Sequence, residues 1–191
     1  MSDSPNVGLQ ALKSRPFDLL KELERRTKSA LTGRSGSAIA EDEWVGIAFR
    51  LGEDNFLVNR EDIREVMTYP SAVTRVPGAK VWISGLANVR GQLLPVADIK
   101  QYFGAGVTRA SRTARVLVLN NGEYPVGILV DEVFGFRRFM DHDFNAEGIE
   151  TVLRCERYQK GAYTREDESW AVLSMSTLVE APEFQYAADK Q

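Results

Sequence analysis

The sequence predicts a mainly β fold of barrel type, preceded by a helical extension. Three observations carry that reading. Apolar residues alternate with period two from Trp44; most of the remaining apolar content sits in short runs cut by Gly, Asn and Pro; sustained helical spacing is confined to the first forty residues. At 191 residues and 43% hydrophobic, the chain can form one compact domain with an appendage, and it is too apolar for wholesale disorder.

Residues 1–43 read as the appendage. Pro16 suits a first helical turn, and Asp18 adds a negative charge there. Phe17, Leu20, Leu23, Thr27, Ala30 and Leu31 then recur on one helical face, with Glu22–Arg26 and Glu24–Lys28 as i,i+4 pairs on the wet side. Gly33 stands where a C-cap is expected, and Gly33–Ser37 has linker composition. A helix of about sixteen residues is marginal alone in water, so the stripe must pack on its own domain or on a partner.

From Trp44 onward, Val45, Ile47, Phe49 and Leu51 alternate with Gly46, Ala48 and Arg50. A turn at Gly52–Asn55 and a resumed run Phe56–Val58 complete a hairpin pattern. Further strands are expected at Leu93–Val96, Val116–Leu119, Val126–Val130 and Ala171–Leu173, with Asn120–Glu123 as a second hairpin turn. Pro95 inside an apolar run implies an edge or bulged strand, and Gly127 a bulge or close backbone approach. Gly85 and Gly91 read as turn or close-packing points. Short helices are expected near Ala79–Ser84, Ile99–Phe103 and Ser174–Leu178. The domain itself is expected over residues 44–180, with 181–191 as a C-terminal tail.

Charge and composition exclude several functions. A formal net charge of −3 argues against a general nucleic-acid or anionic-membrane binder. The balance is uneven: residues 44–139 carry twelve basic and nine acidic side chains, residues 140–191 five and eleven. The polar N-terminus lacks signal-peptide order, and no apolar stretch approaches the roughly eighteen residues of a membrane span. The single cysteine, Cys155, excludes an intramolecular disulfide and suits a cytoplasmic location. The single histidine, His142, leaves most His-centred catalysis and metal binding without residues.

Enzyme templates fail one by one. His142 lies in the polar stretch Met140–Phe144, and no G-x-S-x-G elbow exists. Gly104-Ala105-Gly106 is not followed by a capped helix, and no P-loop occurs. Arg109, Arg112 and Arg115 lack interleaved aromatic residues and read as a solvated loop. Arg154 and Arg157 flank Cys155, which lowers a thiol pKa, but a lone cysteine is seldom a nucleophile. Glu61-Asp62 and Glu166-Asp167-Glu168 read as surface charge. No catalytic residue, metal or cofactor is expected.

The informative segment is Ile83–Phe103, ISGLANVRGQLLPVADIKQYF. Arg90 stands beside Gly91 at an expected turn between two apolar stretches. A guanidinium held there suits docking to a carboxylate or to backbone carbonyls. The segment resembles the signature of CheW-like domains, the adaptor modules of bacterial chemosensory arrays, in which N-[LV]-R-G leads into [VL]-[VL]-P-[VI]-x-D-[LI]. The matching residues are Asn88, Arg90, Gly91, Pro95, Asp98 and Ile99. Ile63–Met67 followed by Val73–Pro77 is similar to the family's I-x-E-V element and R-[IV]-P loop. Val116–Leu119 and Val126–Val133 resemble its V-G-[IL]-x-V-D-x-V hairpin.

The resemblance implies a double barrel, two SH3-like five-stranded barrels whose chain segments interleave, and no catalysis. It implies an adaptor that binds the regulatory domain of a CheA-type histidine kinase and the cytoplasmic tip of a methyl-accepting chemoreceptor, at membrane-anchored receptor arrays and without membrane insertion or nucleic acid. Carried over by position, Ile63, Glu65 and Arg90 line a receptor-facing groove, with Gly85 and Asn88 beside it. Kinase contacts fall on barrel-end apolar strands and loops, without assigned residues. The extension, with Pro16-Phe17-Asp18-Leu19-Leu20 and Arg25-Arg26, resembles adaptors of type IV pilus chemosensory systems that control twitching motility. A flagellar chemotaxis adaptor is the alternative within the family. The regulatory domain of a kinase is disfavoured, because no ATP-binding or phosphotransfer segment is present.

Overall fold

The computed structural model describes residues 43–120, 125–165 and 167–187. The expected N-terminal helix and linker lie outside them, as does most of the Asn120–Glu123 turn.

The chain opens with a hairpin of β1 (Glu43–Leu51) and β2 (Asp54–Asn59), paired antiparallel with Leu51 opposite Asp54. Its turn is therefore two residues, Gly52-Glu53, rather than the four expected. The ladder continues through Asp54 and Asn55 because Phe56 behind them is pulled into the core beside Phe49, ring centroids 5.7 Å apart. Six strands follow: β3 (Ile63–Thr68), β4 (Val73–Thr74), β5 (Ile83–Val89), β6 (Gln92–Asp98), β7 (Arg115–Leu119) and β8 (Gly127–Val130). The chain then returns to the first sheet through β9 (Glu132–Met140), β10 (Phe144–Asn145), β11 (Gln159–Arg165) and β12 (Glu168–Leu173).

Two six-stranded sheets result, in the orders β10-β11-β12-β2-β1-β9 and β3-β7-β8-β6-β5-β4. Each comprises five longer strands plus one two-residue strand at an edge, β10 or β4. The segments interleave as expected, since the second sheet is inserted whole between β2 and β9. Each sheet holds one parallel pair, β2 with β12 and β6 with β8, which a simple meander could not produce.

Three apolar clusters explain the hydrophobic runs. Along β7, Leu117 and Leu119 join the largest cluster, while Val116 and Val118 join a second one. Along β8, Ile128 and Val130 go one way and Leu129 the other. A strand covered on both faces reads as a continuous apolar run. The largest cluster takes Ile47, Phe49 and Val58 from the first sheet and Leu117, Ile128 and Val130 from the second, so it lies between them. The second cluster belongs to the second sheet, and the third (Ala48, Leu57, Phe139, Tyr163, Trp170 and Val172) to the first.

Helices α1 (Ile99–Tyr102) and α2 (Met175–Glu180) form where expected, each started by a side-chain N-cap from Asp98 or Ser174. A further turn, α3 (Pro182–Gln185), follows in the region read as tail. The helix expected over Ala79–Ser84 does not form. Ile83 pairs with Ala97, and the Trp82 carbonyl accepts from the Asp98 N–H at 2.8 Å. The Trp82 ring stacks on Phe184, with centroids 4.9 Å apart. Packing of one large ring thus overrides a weak local preference.

Pro95 and Gly127 behave as anticipated. Pro95 is flanked by β5, but β8 joins β6 only from Val96 onward, so on that side the proline sits at a local edge. A Cβ on Gly127 would come within 2.7 Å of Val116 Cγ1 and 3.1 Å of Leu94 Cδ2, a close approach rather than a bulge. Gly85 is tighter still. Its φ is +142°, and a Cβ there would strike the Thr74 carbonyl oxygen, across the β4–β5 pairing. Gly85→Ala is expected to destabilise by about 1–3 kcal/mol, from a backbone region that side chains disfavour together with this collision. A shift in the urea midpoint checks this; an unchanged midpoint would show that β4 moves aside freely.

Candidate functional site

The hairpin joining β5 to β6 pairs Val89 with Gln92 and turns on two residues, Arg90 and Gly91. Both have positive φ, 52° and 82°, the requirement of a type I′ turn. Glycine adopts this freely, whereas an arginine there costs about 1–2 kcal/mol. Asn88 offsets part of that cost: its Oδ1 accepts the Gly91 N–H at 3.0 Å. The turn holds the Arg90 backbone in one geometry and leaves its side chain 79% exposed.

Glu65 meets this side chain from β3. Arg90 Nη1 lies 2.8 Å from Glu65 Oε2, and the carboxylate side chain is only 24% exposed. In the strand order β3 stands four places from β5, so the ion pair forms only because the sheet curls upon itself. So exposed a pair contributes about 0–1 kcal/mol to stability. The guanidinium carries five donors, of which this pair engages a fraction, leaving capacity for an incoming carboxylate or carbonyl.

Two open grooves flank the pair. A small one of about 160 Å³ has an apolar lining of Val89, Leu93, Leu94, Val118 and Pro125 beside Arg64. Leu93 is 66% exposed. A wider one of about 410 Å³ runs past Met67, Pro70, Ala72 and Asn88. An exposed charge beside an apolar trough is a recognition arrangement, suited to a segment that offers a carboxylate and a bulky aliphatic residue together.

Of the five residues expected at a receptor-facing groove, the structure brings three together: Glu65, Asn88 and Arg90. Ile63 packs instead against the largest apolar cluster, because β3 has a register shift between Ile63 and Glu65. Gly85 is buried against β4 and contributes no side chain to the cluster. Sequence reasoning missed Leu93 and Val89. The signal was available, since both flank the Arg90-Gly91 turn at hairpin positions.

The other residues weighed for chemistry are dispersed. His142 lies on a single exposed turn, Nε2 3.4 Å from Asp143 Oδ1. Among the described residues no group of three His, Cys, Asp or Glu side chains could hold a metal ion. No described helix is long and apolar enough to cross a membrane. Cys155, set aside as a nucleophile despite its flanking arginines, lies away from solvent. It is fully buried, and burial pushes its pKa up, although the Thr151 hydroxyl at 3.3 Å and Gln159 act in the opposite direction. Arg157 is turned away, onto Glu183 at 3.2 Å. In the loop that carries Arg109 and Arg112, read as solvated, Thr108 is nevertheless buried and anchored on Asp98.

Comparisons with known proteins show the family and the fold. Protein PilI of Pseudomonas aeruginosa is 32% identical over 165 residues, covering 86% of this chain and 92% of its own. Protein FrzA of Myxococcus xanthus is 31% identical over 105 residues, 55% of this chain and 65% of its own. The chemotaxis protein CheW of Rhizobium meliloti is 32% identical over 97 residues, 51% of this chain and 62% of its own. The crystal structure of the scaffolding protein TtCheW from Thermoanaerobacter tengcongensis superposes with a TM-score of 0.64 at 22% identity, covering 73% of this chain and 94% of that one. Residues 45–183, which include both sheets and the Arg90 hairpin, match the CheW-like domain, and the chain belongs to that family.

Proposed function

We propose that this protein is a non-enzymatic adaptor that couples a chemoreceptor to a CheA-type histidine kinase, in a pathway controlling type IV pilus twitching motility. The observation that carries the reading is the Arg90–Glu65 pair on a strained turn beside an apolar trough. Such a surface binds a side chain and has no use for a nucleophile. In this reading the receptor's cytoplasmic tip docks at Glu65, Asn88 and Arg90, and the regulatory domain of the kinase docks elsewhere on the barrel ends. Coupling then follows from a differential affinity of the complex for two receptor states. The pilus pathway is favoured by the likeness to PilI, which extends over more of this chain than the likeness to CheW of Rhizobium meliloti.

Reversing the charge tests it. Arg90→Asp should weaken capture of a receptor-tip fragment at least about tenfold, corresponding to about 1.4 kcal/mol, while the thermal unfolding transition stays in place. Undiminished capture by this variant would remove Arg90 from the interface. Reconstitution with a receptor fragment and the cognate kinase, following phosphorylation with and without this chain, tests the coupling itself.

A further inference from the structure

We propose that the groove between residues 75–81 and the loop 104–114 is a second docking surface, which accepts an acidic segment of a partner protein bearing bulky apolar side chains. Arg75, Val76, Lys80 and Val81 form one wall, Val107 and Thr108 the other, around a space of about 450 Å³. Val81 is 72% exposed and Val107 62%, more than isolated surface valines on a small domain need be when they face one another. The groove shares no residue with the two that flank Arg90.

Charge selects the occupant. Among the described residues, Arg50, Arg90, Lys100, Arg138 and Arg157 each hold a carboxylate. Arg75 and Lys80 on the groove wall, and Arg109 and Arg112 just beyond Thr108, have none within ion-pair distance among those residues. The one carboxylate in the lining, Asp98, is buried and already accepts from the Thr108 N–H at 2.7 Å, the Thr108 hydroxyl at 2.8 Å and the Gln101 N–H at 3.2 Å. The groove therefore presents a single sign of free charge on walls that also carry the exposed Val81 and Val107, which concentrates anionic partners. Its one lining aromatic residue, Tyr69, is half-buried and packed against the second apolar cluster, which leaves no row of rings for successive bases to stack on, so a protein segment fits better than a nucleic acid.

The walls are fixed in advance. Thr108 ties one loop to Asp98, and the Ser111 hydroxyl accepts the Ala114 N–H at 3.0 Å. On the other side, the Val76 carbonyl accepts from Ala79 at 3.2 Å and the Lys80 carbonyl from Ile83 at 2.9 Å. A surface held this way loses little freedom on binding.

The test uses the full chain and a fluorescein-labelled peptide in which Asp and Glu alternate with Leu and Phe, read by anisotropy. The expected result is saturable binding that weakens as salt rises, falls at least about tenfold in Arg75→Glu/Lys80→Glu and stays unchanged in Arg154→Glu, an exposed control. Val81→Ser alone should also weaken it, which keeps the test informative if circular dichroism shows the double variant to be unfolded. Equal binding by the Arg75→Glu/Lys80→Glu and Arg154→Glu variants would overturn the proposal. So would equal binding of a Lys/Arg counterpart peptide, or absence of saturable binding. Occupation by a second copy, seen as self-association that Arg75→Glu/Lys80→Glu abolishes and the peptide does not affect, would likewise overturn it.

Discussion

Asp131→Ala should destabilise the domain by about 2–4 kcal/mol, and lower its melting temperature by about 10 °C, because it leaves a largely shielded ammonium without its counter-charge. Asp131 lies where the chain leaves the second sheet for the first, between β8 and β9. Both its oxygens face Lys100 Nζ, at 2.9 and 3.1 Å, and Oδ2 also accepts the Gly52 N–H at 2.7 Å. The two ionic side chains are only 14% and 15% exposed. One carboxylate thus joins α1 of the second sheet to the β1–β2 turn of the first. Next to it, Arg50 bonds Glu132 at 3.1 Å and the Gly52 carbonyl at 2.9 Å. A double-mutant cycle separates the charge from the packing: Asp131→Asn/Lys100→Met should be more stable than Asp131→Asn alone. Strict additivity in chemical denaturation would show that the pair is not coupled.

Asp98→Ala should cost about 2–4 kcal/mol, the sum of a lost N-cap and a buried donor left without an acceptor. The side chain is 1% exposed and serves two elements at once, capping α1 through Gln101 and anchoring the 104–114 loop through Thr108. The loop's protection should therefore fall more than that of the strands. Amide hydrogen exchange at Thr108 checks this, since its N–H is held by Asp98 Oδ2 and should exchange much faster in the variant. Asp98→Asn should recover part of the loss, because its amide oxygen can still accept one of the N–H groups. Unchanged exchange at Thr108 would mean that other contacts hold the loop.

The strands, and the hairpin that carries Arg90, could be read from residue order because the signals are local. Asn88 and Gly91 specify the turn through their own hydrogen bond, and the runs at Val116–Leu119 and Gly127–Val130 announce strands covered on both faces. Ala79–Ser84 was misread because its conformation is set by where the Trp82 ring packs, a hundred residues away in sequence from Phe184. The environment of the Cys155 thiol was not legible for the same kind of reason. Its arginine neighbours are adjacent in sequence, but burial sets its pKa and Arg157 turns to Glu183.

The sequence by itself determined the fold class, the family resemblance and the exposure of Arg90, since a turn, a motif and an alternation are all defined within a few residues. The tertiary structure alone decided that Glu65 meets Arg90 while Ile63 and Gly85 stand apart, and that Asp131 clamps Lys100 to Gly52. It also set Arg75 and Lys80 facing the loop of Arg109 and Arg112 across a groove. The physical reason is curl and insertion. A sheet that bends until β3 meets the β5–β6 turn, and that is spliced whole into another sheet, brings charges together at distances that no spacing along the chain encodes.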